Sequence, residues 1–372
     1  MATVDRRESA LDGLRGLAAA GVVVHHVVLA SSPSVTSAYL AGDTAGMPIW
    51  ARASSFLWAG HAFVIVFFVL SGYVLALPNR EPGSFNARAY YPSRLVRLFF
   101  PVWGALALAA GVRAVAGHPA SGAASAWLNA HAAGVSLSDV LHQASLPGGN
   151  TYALLGVLWS MHWEVLFSLL LPAFVLVARR SRTWHAPLAA AAFAVMAVGH
   201  RHAAAAYMPT FLLGTLLAFN RPALERLRLV LAAPTREGRA SRAAVIIGAV
   251  ALLGYAQAPA LVAGGAVLAV VAALTIPAIG RMLEARPAQW LGSRSFSLYL
   301  VHEPVVVALA FALGLPGFPV LLGVAAVAAL IGAELFHRAL ERPSHRAARR
   351  LAALGREASG QRRLRAQPAP SP

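Results

Sequence analysis

The sequence contains no cysteine. That excludes disulfides, thiolate metal ligands and a thiol nucleophile. It also contains no lysine, so all 31 basic residues are arginine. Together with abundant alanine, this suggests a GC-rich genome and hints at a bacterial origin. Charge is scarce, at 12% of 372 residues, where soluble chains average about 25%. Such a chain cannot cover a soluble surface. What it has instead is apolar mass: 58% hydrophobic residues and a mean hydropathy of +0.63. The net charge of +17 would suit a nucleic-acid partner. The arginines stand between apolar runs, however, so membrane topology accounts for them better, and no nucleic acid is expected.

A bilayer core of ~30 Å needs about 20 residues of helix at 1.5 Å each. Ten runs approach that length, at roughly 11–30, 56–77, 95–116, 158–178, 185–199, 204–219, 243–257, 260–280, 294–313 and 318–339. The fold class expected is therefore an all-α, polytopic transmembrane bundle. The first run resembles a signal peptide, but two histidines lie within it and many spans follow. No internal repeat suggests an inverted-repeat transporter.

Arginine placement orients the bundle. With the N-terminus inside, the inner loops carry Arg80 and Arg88, then Arg179, Arg180 and Arg182, then the run from Arg221 to Arg242, then Arg281 and Arg286. The outer loops hold little beyond Arg52 and Arg201. This is the positive-inside pattern, with both termini cytoplasmic. Two outer loops are long, roughly 31–55 and 117–157. Residues 1–342 read as the transmembrane domain. Residues 343–372 read as an Arg-rich, disordered cytoplasmic tail facing anionic lipid.

Ionisable residues within spans are costly and need a partner, a wet cavity or a function. In the first span Arg15 and His26 are eleven positions apart. At 100° per residue they share one stripe, about 16 Å apart along the axis. Asp12 lies close to that stripe. An interfacial Asp12–Arg15 anchor and a packed His26 would explain the same pattern. In the second span, Ser71-Gly72 reads as a close-packing pair. Arg88, Arg94 and Arg97 open the third. Arg94 and Arg97 share a face, which suits a phosphate-bearing ligand or a plain anchor. Ser160 and Glu164 share a face in the fourth, placed here in the outer half. Ser295, Tyr299 and His302 form a polar stripe in the ninth. Glu303 and Glu334 are further acids without a clear role. No acid–histidine set has metal-ligand spacing, and no bound cofactor is expected.

Taken in order, these segments resemble the acyltransferase-3 family of membrane O-acyltransferases. The resemblance runs from Leu11 to about Pro343. It rests on Arg15-x10-His26, FFVLSG at Phe67–Gly72, Arg94-x-x-Arg97, WS-x3-E at Trp159, Ser160 and Glu164, SLYLVH at Ser297–His302, and ERP at Glu341–Pro343. Two positions depart from the family pattern. Ile65 stands where an acid commonly precedes FFVLSG, and Ser168 is the nearest hydroxyl where a tyrosine is frequent.

The resemblance implies acyl transfer from cytoplasmic acyl-CoA, with acetyl the expected group, to a hydroxyl of a cell-surface polysaccharide, glycolipid or secondary metabolite. The setting expected is the bacterial cytoplasmic membrane. It implies His26 as general base, Glu164 to orient it or bind the acceptor, and Arg15 and Asp12 beside it. Arg94, Arg97 and Arg88 would hold donor phosphates. Ser71, Trp159, Ser160, Tyr299 and His302 would line the path. A transporter for a lipid-linked sugar or acylated product, or a non-catalytic envelope scaffold, would also need a polar interior.

Overall fold

A computed structural model of the chain describes residues 2–116, 121–132, 134–146, 154–180 and 184–365. Among these residues it is helical, with no strand. The elements are α1 (Ala2–Ser31), α2 (Pro33–Leu40), α3 (Ile49–Ala53), α4 (Ser55–Trp58), α5 (Gly60–Ala76), α6 (Ala87–Ala116), α7 (Ala126–Ala130), α8 (Leu137–Ser145) and α9 (Leu158–Arg180). They continue as α10 (His185–Val198), α11 (Ala203–Phe219), α12 (Arg221–Ala232), α13 (Arg236–Tyr255), α14 (Pro259–Thr275), α15 (Pro277–Leu283), α16 (Arg286–Ala312), α17 (Phe318–Phe336) and α18 (Arg342–Arg365).

Seven helices are long and apolar enough to cross a membrane: those of α1, α5, α6, α9, α13 and α16, and the run from α17 into α18. Two more candidates are bent pairs, α11–α12 at 79° and α14–α15 at 90°. The apolar α10 is shorter. These segments coincide with the ten runs read from the sequence. Both bends carry a proline in the first turn of the second helix, Pro222 and Pro277. Proline is tolerated there but cannot continue a ladder from the preceding helix.

Segments expected on the inner face do meet one another. Arg179 donates to the carbonyls of Asn79 (2.7 Å) and Glu81 (2.9 Å). Gln289 donates to the Ser9 carbonyl at 2.6 Å. Segments expected outside meet likewise: the Tyr255 hydroxyl donates to the Ala53 carbonyl at 2.9 Å.

The C-terminal stretch differs from expectation. The chain passes from α17 through a short π-helical turn, His337–Glu341, directly into α18. What composition marked as a disordered tail is helix as far as Arg365, and residues 366–372 lie outside the described residues. The Ser359 hydroxyl reaches Asn86 Oδ1 (3.2 Å), and Gly355 lies against the Arg88 backbone. The stretch is rich in Arg, Ala and Leu, all strong helix formers, and packing on α6 supplies what net charge alone leaves out of account.

Glycine sets the closest approaches. Helices α1 and α16 run parallel, since Ser9 and Gln289 meet near their starts. They touch backbone to backbone. A Cβ on Gly16 would strike Leu291 and Gly292, and one on Gly292 would strike the Asp12 carbonyl. Gly72 and Gly214 play the same part between α5 and α11, in line with the small-residue packing expected at Ser71-Gly72. From the Gly16–Gly292 contact each helix rises ten residues, about 15 Å, to a histidine: His26 on one, His302 on the other.

This crossing predicts that Gly292→Leu destabilises the protein by about 1–3 kcal/mol or more, the usual range for overpacking. Gly323→Leu should be silent, because nothing lies within 4 Å of Gly323. Thermal unfolding in detergent measures both. Equal midpoints would show that the two backbones do not touch.

Candidate active site

His26 and His302 meet as that geometry requires. Nδ1 of His26 lies 2.7 Å from Nε2 of His302. Nδ1 of His302 lies 3.0 Å from the Leu298 carbonyl. A carbonyl only accepts, so His302 must donate from Nδ1. Its Nε2 is then a lone pair, and His26 must donate from its own Nδ1. Hydrogen-bond partners therefore assign the tautomer of His26. Its Nε2 carries a lone pair and has no hydrogen-bond partner among the described residues. The ring is packed on other sides by Trp127 (centroids 5.0 Å, planes 17° apart) and by His25 (5.2 Å). His25 itself is tied elsewhere, through Nδ1 to the Trp58 carbonyl at 2.8 Å.

Below the histidines lies a cavity of about 320 Å³. Of the residues singled out in the sequence, Asp12, Arg15, Ser71, Arg94, Arg97, Ser160, Glu164 and Tyr299 line it. Glu164 does not reach His26. It forms an ion pair with Arg94, whose Nε also donates to Ser168 Oγ at 3.0 Å. Helix depth placed Glu164 in the outer half near His26, but the side chain turns into this cavity, and the hydrogen-bond partner of His26 is His302. Glu341 accepts from Ser297 (2.5 Å) and contacts His337 (2.9 Å). Arg15 and Arg97 line the same cavity without a hydrogen-bonded acid among the described residues, and Asp12 lines it without a hydrogen-bonded base. The two guanidinium groups thus keep donors open to the cavity, which Asp12, Glu164 and Glu341 also line.

At the end of the cavity nearest the histidines the Ser160 and Tyr299 hydroxyls are 2.7 Å apart, and Tyr299 donates to the Val157 carbonyl at 3.0 Å. The Tyr299 ring centroid is 6.0 Å from that of His302. Tyr299 thus stands between cavity and histidine pair. Trp159 sits apart, stacked on His61 (5.6 Å, 14°). Arg88 is exposed at the start of α6 and does not line the cavity. Glu334 pairs with Arg294 (2.7 Å) and Arg338, which accounts for its charge.

Sequence reasoning missed His337 and His345 on the cavity wall, although Glu341 stood in a quoted motif. It also missed Trp127 and His131 in the long outer loop. The His131 Nε2 meets Glu303 Oε1 at 2.8 Å. Glu303 accepts in addition from the backbone N–H groups of Gly156 (2.6 Å) and Val157 (2.8 Å). Tyr299 and Glu303, four residues apart on α16, therefore hold the two ends of Val157.

A lone-pair imidazole close to a cavity lined by three arginines and three acids, inside a helical bundle, has the parts of a group-transfer site. Comparison with known proteins agrees. No curated protein and no solved structure matches the chain. The family model described as "Acyltransferase domain" matches residues 8–338. The match covers nearly all of the helical bundle, including both histidines and the cavity wall apart from Glu341 and His345, and the chain belongs to this family of membrane acyltransferases.

Proposed function

We propose that the protein moves an acyl group, acetyl by preference, from cytoplasmic acyl-CoA to a hydroxyl of a glycan or glycoside on the far side of a bacterial cytoplasmic membrane, with His26 as general base. The observation that carries this reading is the tautomer: His302 holds the Nδ1 proton of His26 and leaves Nε2 free.

The donor enters from the arginine-rich face. Its phosphates are held by Arg15 and Arg97. Arg94, already paired with Glu164, fixes the wall and the local charge. At about 320 Å³ the cavity is at the small end of ligand pockets, roughly 300–1,000 Å³. It suits a pantetheine arm and short acyl group rather than a whole nucleotide. The arm points the thioester toward Tyr299 and the histidine pair. Nε2 of His26 takes the proton of the acceptor hydroxyl as its oxygen attacks the thioester carbonyl. The C–S bond then breaks, and the thiolate leaves with the proton. A neutral imidazole suits this task, because its ordinary pKa lies near operating pH.

His26→Ala should lower acceptor-dependent thiol release by about 10²–10⁴, the usual worth of a general base, with the folded yield unchanged. Retained transfer would sink the base assignment. His302→Ala should lower kcat and move its pH profile, whereas His302→Gln, which keeps an acceptor facing His26, should recover part of the rate. If the two variants behave alike, the tautomer argument fails.

Arg15→Ala and Arg97→Ala should each raise KM for acyl-CoA about tenfold, the scale of one charge-assisted hydrogen bond, with a smaller change in kcat. Titration of donor binding provides the check. Unchanged affinity in the double variant would move the donor elsewhere.

A further inference from the structure

The outer loop reaches the base. Helix α7 is only five residues long, but it is well held. The Ser125 side chain caps it by accepting from the Leu128 N–H at 3.2 Å. Leu128 is fully buried in the main core. Asn129 closes the loop with two bonds to the Ser121 backbone (2.9 and 3.0 Å). This places the Trp127 indole flat against His26.

The latch is His131. Its Nδ1 faces the Trp127 carbonyl at 2.8 Å and must donate. Its Nε2 faces a carboxylate oxygen of Glu303, which is 1% exposed. With Nδ1 donating, the second contact is attractive only if one proton is shared between Nε2 and Oε1. Without it, two lone pairs would face each other. A covering loop held only for packing would need none of this buried polar work.

We propose that Trp127 is the acceptor-selecting residue of the site, closing the outer approach to His26 against water, and that Glu303, acting through His131, is the positioning residue that keeps it there. The proposal rests on the reading of His26 as base. If the cover is lost, water replaces the acceptor: its oxygen attacks the thioester carbonyl, the C–S bond breaks, and carboxylic acid and thiol form. Active sites commonly exclude water to prevent such side reactions.

Two experiments test it. In the first, acetyl-CoA is supplied to the purified full-length protein without acceptor, and thiol release is followed. Trp127→Ala should raise release about tenfold over wild type, and the added His26→Ala change should abolish the rise. Trp127→Phe should stay near wild type. Unchanged hydrolysis in Trp127→Ala overturns the proposal.

The second experiment needs no acyl chemistry, so it separates failure of the cover from failure of the base. The chain has no cysteine, and Leu128→Cys or Ala130→Cys therefore supplies its only thiol. Position 128 is buried and position 130 exposed. The 128-to-130 ratio of labelling by an impermeant maleimide reports loop release, and its pH slope in His131→Ala, which lacks the latch, gives the part due to thiol ionisation. It should be low near neutral pH and rise several-fold in His131→Ala and in Glu303→Gln.

It should also rise with pH in the wild type. Burial works to lower the His131 pKa, but the Glu303 hydrogen bond and charge outweigh it, and the net shift is upward. Arg113 opposes that shift, and His26 also feels the charge on His131. A group with a raised folded-state pKa stabilises fully below its ordinary value and loses that contribution as pH climbs through the raised one. Docking should therefore hold at neutral pH and loosen on the alkaline side. A ratio that is flat with pH and unaltered by both latch substitutions overturns the positioning role.

Discussion

Everything at the centre of this protein depends on two backbones touching. Gly16 and Gly292 let α1 and α16 approach without side chains between them. The helices are parallel, so equal travel along each brings equal height. Ten residues on, His26 and His302 arrive together within hydrogen-bond reach. A single added methyl at the crossing would push the helices apart over the very stretch that carries the pair. Lipid gives little hydrophobic reason for helices to associate, and close packing of small residues takes its place. The histidine geometry is thus a consequence of glycine placement 15 Å below.

The same helix organises what surrounds His26. On one stripe of α16, Tyr299 donates to the Val157 carbonyl and accepts from Ser160, while Glu303 takes the Val157 N–H. On the neighbouring face His302 holds His26. One rigid element therefore sets the histidine end of the cavity, the tautomer of His26 and the dock for the outer loop. Such sites are more precise on helices than on loops. The electrostatics below follow the same economy. Arg94 is committed to Glu164 and Ser168, while Arg15 and Arg97 keep their donors open. Guanidinium stays charged when buried, so such groups remain ready for an anion.

Much of the architecture was legible because its causes are one-dimensional. Apolar run length follows from bilayer thickness, and arginine bias follows from topology, and neither depends on which helix touches which. The Arg15–His26 stripe was legible for the same reason, since helical phase is local. Partnerships between helices were not. Depth along α9 said that Glu164 was buried, but not that its rotation faced Arg94. The paired spacing from Gly16 to His26 and from Gly292 to His302 was visible in the sequence, yet it has meaning only once α1 and α16 are known to be parallel neighbours. Trp127 and His131 lay in a loop of small residues, where no period marks an inward turn. The C-terminal helix was hidden by its charge: composition scores arginine as disorder-promoting, while helix propensity and contact with α6 decide otherwise.

In the proposed reaction the outer loop answers a chemical asymmetry. A thioester brought deep into the bundle would meet a hydroxyl from the other side, where water is the more abundant hydroxyl. The inner cavity could then be open, because acyl-CoA would arrive from water there. The outer approach could not, because every water admitted beside His26 would compete with the acceptor. An aromatic plate over His26 would answer that constraint, excluding bulk solvent while offering an apolar face to an incoming ring. Holding the plate by a shared proton between His131 and a buried acid lets a polar loop dock on an apolar bundle without leaving a carboxylate unsatisfied. Glu303 is consequently costly where it sits, but its three donors match a charge that packing alone would never tolerate.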